Sequence, residues 1–337
     1  MRELSIFDKI IFFLNLILGA LLLFSFLAPY ISVNTFLPLT FLSLFFPIIF
    51  IINILFIFYW IFRKKKIFIL SSSAVLISYF TFGSFYKFGS TSDSIKNEDL
   101  SVMTYNSRAF RVGHSKNTRL ADLKIIDFVK ENDPDIVCFQ EFEPIRHRQL
   151  NQYPYKYQTE LPSNKSSQAI FSKYPIVGNG SLEFPNTANN ALYADILYKA
   201  DTIRVYNIHF QSYQISPSRL KQIRRAAKIY AKMTKAFIKQ EEQVRIFDKH
   251  RRDSPYRNIV CGDFNNTPFS NVYRIAKGEM QDTFDEKGSG FGKTFDLKGV
   301  PFRIDFILAD KSMQVMTHQN FDLRLSDHYP VMTSIRL

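Results

Sequence analysis

Apolar residues are spread so unevenly along this chain that it divides into two regions obeying different rules. From Ile10 through Phe62 no residue is charged, a run of 53 positions. As a single helix it would reach about 80 Å at about 1.5 Å per residue, whereas the hydrocarbon of a bilayer is about 30 Å thick. The run therefore predicts two membrane crossings, with the turn near Pro29 and Pro38. After Arg63-Lys64-Lys65-Lys66 a second uncharged stretch, Ile67 to Tyr86, has the length of one more span. About three transmembrane helices are expected, over 10–30, 38–62 and 67–86, in an anchor made of residues 1–90. A cleaved signal peptide competes for the first span, because Arg2 and Lys9 precede an apolar segment, yet secretory apolar cores run only about 7 to 15 residues.

Past residue 100 the period changes. Residues 100–105, 135–139, 203–208, 258–261 and 302–308 are rich in Val, Ile, Phe and Tyr and read as buried strands. Helical periodicity appears over 120–129 and from Arg219 to about Phe247. This alternation predicts sheets with helices packed outside them. Residues 91–99 are polar and read as a linker, and 100–337 has the length of one large domain. No internal repeat points to a solenoid.

The residues that end the apolar strands carry chemistry. Asn106 follows Val102 to Tyr105, Glu141 follows Ile136 to Gln140, His209 follows Val205 to Ile208, and Asp263 and Asn265 follow Ile259 to Gly262. Asp305 lies in Arg303-Ile304-Asp305-Phe306-Ile307, and Asp327 and His328 lie in Ser326-Asp327-His328-Tyr329-Pro330. Strands that repeatedly deliver a carboxylate, amide or imidazole to one edge build a polar site on a rigid scaffold. Any one of these residues alone is more often a turn cap or a satisfied surface group; the weight lies in their joint occurrence. Oxygen donors from Glu141, Asp263, Asp327, Asn106 and Asn265 suit Mg²⁺, Mn²⁺ or Ca²⁺, and the absence of a Cys/His cluster at zinc spacing argues against zinc.

In this order, the segments YNSR, FQE, NIHF, GDFN, RIDFI and SDHYP resemble those of the endonuclease/exonuclease/phosphatase superfamily, over about residues 100–337. The resemblance implies an α+β fold, a four-layer αββα sandwich of two packed β-sheets with outer helices, here preceded by about three transmembrane helices. It implies Glu141 as the principal metal ligand, Asn106 near the metal, and Asp327 as a further ligand or neighbour. His328 resembles the general base that activates water, oriented by Asp305. Asp263 and Asn265 resemble the pair that positions nucleophile and phosphate, and His209 the second histidine, donating to a phosphate oxygen or the leaving group. Where inositol polyphosphate 5-phosphatases carry Trp-Cys-Asp-Arg, this chain has Phe302-Arg303-Ile304-Asp305, which argues against that branch.

Charge and cysteine content refine the picture. The chain has 43 Lys+Arg against 30 Asp+Glu, a net of +13. Basic residues are retained on the cytoplasmic side, so the Arg63–Lys66 block and the N-terminus predict a multi-pass plasma (inner) membrane protein whose catalytic domain is extracytoplasmic. Residues 219–239 hold eight Lys+Arg and no acidic residue, with apolar positions recurring at three and four, which predicts an amphipathic helix with a basic outer stripe. Such a stripe is either a solvated face, a contact for anionic lipid headgroups or a nucleic-acid groove. Cys138 and Cys261 lie in apolar runs and read as buried thiols, with a disulfide between them left open. The expected activity is a membrane-anchored, metal-dependent phosphoesterase cleaving a phosphodiester in lipid or nucleic acid, with no protein partner. A membrane-tethered nuclease is the first alternative, and a non-catalytic receptor for phosphorylated ligands the second.

Overall fold

Three apolar helices begin the chain, α1 (Ile6–Phe24), α2 (Leu37–Phe62) and α3 (Phe68–Phe82). A capping box starts α1 before the uncharged run: the Ser5 hydroxyl accepts from the Asp8 amide at 3.1 Å while the Asp8 carboxylate accepts from the Ser5 amide at 3.3 Å. Pro38 sits in the first turn of α2, where its missing N–H costs nothing. Where α2 ends, Arg63 folds back onto Asp8 at 2.6 Å. The helices are tied together by one polar side chain or more from each. Trp60 Nε1 donates to Asn15 Oδ1 at 2.9 Å, Asn15 Nδ2 donates to Ser71 Oγ, and the Ser71 hydroxyl donates to Asn53 Oδ1 at 3.1 Å. In an apolar bundle such bonds satisfy buried polar groups that would otherwise be unmet and tie the three helices to one another.

The computed structural model describes residues 4–82, 85–89, 98–110, 118–160, 165–213, 226–297 and 300–337. Among them two helices are long and apolar enough to cross a membrane, which corrects the expectation of about three. The third apolar helix has 15 residues, about 22 Å of rise and short of a bilayer's hydrocarbon. Its remaining apolar sequence is used elsewhere: Phe85 packs on Phe269, and Lys87 exchanges two backbone hydrogen bonds with Gly290, each at 2.9 Å. Of the expected linker at 91–99, residues 91–97 lie outside the described residues, as do the basic positions at 219–225.

From residue 100 the chain forms strands β1 (Leu100–Asn106), β2 (Ile136–Gln140), β3 (Tyr155–Gln158), β4 (Gln168–Ser172), β5 (Ile176–Leu182), β6 (Ala191–Tyr198) and β7 (Asp201–His209). Then come β8 (Arg257–Asp263), β9 (Gln281–Asp282), β10 (Phe295–Leu297), β11 (Val300–Phe302), β12 (Asp305–Ala309), β13 (Gln314–Asn320) and β14 (Val331–Arg336). One six-stranded sheet runs β13-β14-β1-β2-β4-β3 and the other β5-β6-β7-β8-β12-β9, with β10-β11 a separate hairpin. Each large sheet has one parallel pair at its centre, β1 with β2 and β7 with β8. The sheets pack face to face through Val102, Cys138, Ile170, Val205, Cys261 and Ile307.

Helix α4 (Thr118–Asn132) covers the first sheet with Ile125, Ile126 and Val129. Helices α5 (Ala226–Arg252) and α6 (Asn271–Lys277) cover the second with Val244, Phe247, Val272 and Tyr273. The result is the expected α+β sandwich of four layers. A short α7 (Thr283–Lys287) follows β9. One expected strand is broken: 302–308 divides at Arg303, which turns inward to meet Asp282 at 2.6 Å. Both cysteines are buried and free, so the disulfide left open above is not formed.

Candidate active site

Strand register assembles the site. Parallel pairing sets Asn106 beside Gln140 and so brings Asn106 and Glu141 to one edge of the first sheet. In the second sheet His209 pairs with Asp263 and Asp305 pairs with Asp263, so three functional side chains stand in a row across β7, β8 and β12. His328 joins them through a bridge to Phe295 and a hydrogen bond to Asp305. Near its end β8 needs glycine: at Gly262, paired with Ile208 of β7, φ is +136° and a Cβ would fall 2.0 Å from the Ile208 carbonyl oxygen. Glu141 and Asn265 are themselves in the left-handed region, with φ of 48° and 49°, and such conformations gather at functional sites.

The contacts are specific. His328 Nδ1 lies 2.9 Å from Asp305 Oδ2 and 3.1 Å from Oδ1. Asp263 accepts from Asn106 Nδ2 at 3.0 Å, from the Asn265 amide at 2.8 Å and from Asn265 Nδ2 at 3.1 Å. His328 Nε2 and His209 Nε2 both stand 3.7 Å from Asp263 Oδ2, and His209 Nε2 is 3.9 Å from Glu141 Oε1. That nitrogen of His209 is buried and has no hydrogen-bond partner. Its other ring nitrogen lies 3.2 Å from the Ser166 hydroxyl. Below the site the two sheets are joined by amides: Gln140 Nε2 donates to Asn207 Oδ1 at 2.8 Å and Gln168 Nε2 to the Asn207 carbonyl at 3.0 Å.

Burial and neighbouring charge shift the ionisable groups. Burial pushes the His209 imidazole down, so it is neutral, despite the pull of Asp263. Burial, aided by Asp305, holds Asp263 up at about 6 against the two histidines. Burial alone would lower His328, but the carboxylates of Asp305 and Asp263 outweigh it and raise the imidazole to about 10. Glu141 is pushed up by the protein packed around it and by Asp327, while His328, Asn106 and Arg108 pull it back.

The structure thus brings together Asn106, Glu141, His209, Asp263, Asn265, Asp305 and His328, while Asp327 stands at the rim, 3.5 Å from Arg108 Nη1. Among the described residues, Asp263, Asp305 and His328 form one compact group whose donor atoms lie within 4.8 Å of one another. That closeness is accounted for by the His328–Asp305 hydrogen bond and by the three amide donors that hold Asp263 while leaving it acceptor capacity. Glu141 and Asp327 are the candidate cation ligands: both carboxylates are part-exposed, the charge of Asp327 disfavours that of Glu141, and the Asn106 amide oxygen would add a third oxygen donor of the kind hard divalent ions take. Gln140 and Asn207 lie within the FQE and NIHF segments, but the sequence singles out neither them nor Ser166 and Gln168 as candidates. They are polar residues without periodicity, and only their partners identify them.

Residues 103–328 match the family described as the Endonuclease/Exonuclease/phosphatase family, and residues 8–85 match a domain of unknown function, DUF8431. No curated protein matches the chain. Among solved structures, a humanized Danio rerio TDP2 carrying 14 mutations is similar over 72% of this chain and 100% of its own, at 14% identity and a TM-score of 0.56. The D. rerio TDP2 complexed with single-strand DNA product matches over the same shares, at 14% identity and a TM-score of 0.55. A mannosyl-6-phosphatase of Bacteroides thetaiotaomicron is similar over 71% of this chain and 100% of its own, at 17% identity and a TM-score of 0.51. At these identities the likeness is one of fold.

Proposed function

The chain belongs to the endonuclease/exonuclease/phosphatase family, whose members hydrolyse phosphate esters, and on that premise we propose a membrane-anchored, divalent-metal-dependent phosphoesterase that cleaves a phosphodiester, with a lipid headgroup as the first candidate substrate. The observation that carries this reading is His209 Nε2, buried beside Glu141 and Asp263 without a partner. Burial keeps the ring neutral, and a nitrogen facing two carboxylates is best occupied by a proton. It is then a hydrogen-bond donor waiting for an acceptor, and a phosphoryl oxygen or an ester leaving group is an acceptor of the right kind.

The remaining residues divide the work. Since His328 Nδ1 is committed to Asp305, its Nε2 is the nitrogen that takes a proton from the attacking water, and Asp305 stabilises the imidazolium so formed. Asp263, held by Asn106 and Asn265, accepts the water's other hydrogen and aims its lone pair in line with the leaving group. His209 meets the charge that grows on the phosphoryl or leaving oxygen. Glu141, Asp327 and Asn106 would hold Mg²⁺, with Mn²⁺ or Ca²⁺ as alternatives, and the bound ion would supply positive charge that polarises a phosphoryl oxygen and draws His328 back toward the neutral range.

Anchoring is supported by the two long apolar helices and by where the catalytic domain docks. Its contacts fall at Pro29, Val33, Ser43 and Phe46, at the opposite end of the bundle from Arg63–Lys66. With that basic block in the cytoplasm, the catalytic domain of a multi-pass plasma-membrane protein lies outside. Tyr230 of α5 stacks on Phe41 of α2, ring centroids 5.0 Å apart, which sets the exposed Lys228 and Lys235 level with that membrane end. Each basic residue near an anionic surface adds about 1 kcal/mol of attraction.

The test is hydrolysis by the full-length chain in mixed detergent and lipid, offered sphingomyelin, glycerophospholipids, phosphoinositides and DNA, with and without Mg²⁺, beside His328→Ala. Turnover of a phospholipid that needs both the metal and His328 is the expected result. Preference for DNA would favour the nuclease instead, and binding of phosphorylated ligands without turnover would favour the receptor.

A further inference from the structure

A helical carbonyl accepts from the amide four residues on, and proline has no amide hydrogen to give. Pro47 lies inside α2, so the carbonyl of Ser43 loses its partner within the helix, and Ser43 is fully buried. The hydrogen comes from the catalytic domain: the Thr267 hydroxyl, itself buried, donates to Ser43 O at 3.0 Å. Thr267 is the fourth residue after Asp263 and the second after Asn265. We propose that Pro47 opens a socket in α2, that Thr267 plugs it, and that this contact makes the apolar helix a positioning element for the Asp263–Asn265 segment of the site.

The surroundings of the plug point the same way. Phe269 lies against Phe46 with ring centroids 4.0 Å apart and is flanked by Phe82 and Phe85. Asn271 Nδ2 and Arg274 Nε both donate to the Pro29 carbonyl, at 2.7 and 2.6 Å. From the other side, Gln240 of α5 donates to the Asn265 carbonyl at 3.0 Å and accepts from Asn266 Nδ2 at 2.9 Å. The next residue, Glu241, accepts from the Val33 amide at 2.7 Å. The stretch from Asp263 to Arg274 is therefore clamped between α5 and the apolar helices. Asn265, in the left-handed region, is the kind of residue that keeps its conformation only when its surroundings over-determine it.

The catalytic half of this inference rests on the phosphoesterase reading; its structural half does not. Full-length chain in detergent would be compared with Thr267→Val, which removes the hydroxyl at nearly constant shape, with Thr267→Ser, which keeps it, and with Pro47→Ala, which restores an amide at position 47. Three quantities are read: kcat and KM, melting temperature, and hydrogen exchange of residues 264–270. A positioning contact predicts that Thr267→Val lowers kcat about tenfold with KM changed by less than about twofold, and speeds exchange locally. Thr267→Ser returns both toward wild type. Combining Pro47→Ala with Thr267→Val restores the melting temperature, because Ser43 O regains a partner, but leaves kcat low, because the plug is still gone. A contact that only holds the two parts together would lower the melting temperature and leave kcat and local exchange at wild-type values, which would overturn the proposal. Should the wild type prove inert on every phosphate ester, exchange alone decides: acceleration confined to 264–270 supports the plug, and uniform or absent change refutes it.

Discussion

In the helical bundle Asn15, Asn53 and Ser71 have no solvent exposure, and each is bonded to a side chain of another helix, whereas in the sandwich His209 is almost as deeply placed and its Nε2 has nothing to bond. Among the described residues no buried side-chain polar atom of the three helices lacks a partner. An unmet polar atom inside protein costs about 1–3 kcal/mol, and the bundle avoids that cost completely. The site bears it at an atom directed between two carboxylates. Polar burial that is fully satisfied is structural glue; at His209 the open nitrogen lies between Glu141 and Asp263, where a ligand's acceptor would complete the set.

The largest effect that would test this contrast is His209→Ala. Loss of one preorganised donor to a transition-state oxyanion costs about 10² to 10³ in turnover, and steady-state kinetics on the preferred substrate, taken per folded molecule because removing the buried ring also leaves a cavity and the Ser166 hydroxyl without its Nδ1 contact, should show it. A large loss of stability with normal turnover per folded molecule would move His209 into the structural class.

A second histidine sharpens the comparison. His318 is also driven down by burial, to about 4, yet both ring nitrogens have partners, Thr283 Oγ1 at 2.8 Å and Asn320 Oδ1 at 3.1 Å. Its folded pKa lies below the unfolded value of about 6.5. At pH above 6.5 both states are neutral there and stability is whole. Between about 6.5 and 4 only the unfolded chain takes the proton, so stability falls as pH falls, by up to about 3 kcal/mol in all. Thermal unfolding against pH should show this slope in the wild type and lose it in His318→Gln, while turnover per folded molecule stays at its wild-type value in that variant. The bundle supplies the next step down: Asn53→Leu strands the Ser71 hydroxyl and should cost about 1–2 kcal/mol, read by unfolding in detergent, with kcat unaffected.

The two regions also differed in how far their sequence could be read. Asn106, Glu141, His209, Asp263 and Asp305 were legible because each ends or begins an apolar strand, and strand register carries such residues to a common edge. Hydropathy located the helices but not their ends. Residues 67–86 are uniformly apolar, and nothing local announces that Phe85 and the following Lys87 dock on a domain about two hundred residues away in sequence. Thr267 meets Ser43 across a separation of 224 positions, and no local pattern could pair them, although the proline that frees the carbonyl is plain to see. Arg303 was read into a strand by its neighbours, and its ion pair with Asp282 breaks that strand.

Ser166 is the smallest lever on the comparison and the most specific. Its hydroxyl lies 3.2 Å from His209 Nδ1, and a neutral imidazole carries one proton that either nitrogen can hold. With Nε2 facing Asp263 and Glu141, a lone pair there would be repelled, so the proton belongs on Nε2 and the Ser166 hydroxyl donates to Nδ1. The serine thereby keeps the open nitrogen a donor. In Ser166→Ala that bias is lost and part of the population shifts to the other tautomer, which lowers kcat about three- to tenfold, or about 0.7–1.4 kcal/mol of barrier. Ser166→Thr retains the hydroxyl and should recover most of it. Nitrogen-15 shifts of His209 report the tautomer directly. A wild-type Nε2–H population in Ser166→Ala would show that the two carboxylates alone suffice, and that the open atom in the site is held open by charge rather than by a hydrogen bond behind it.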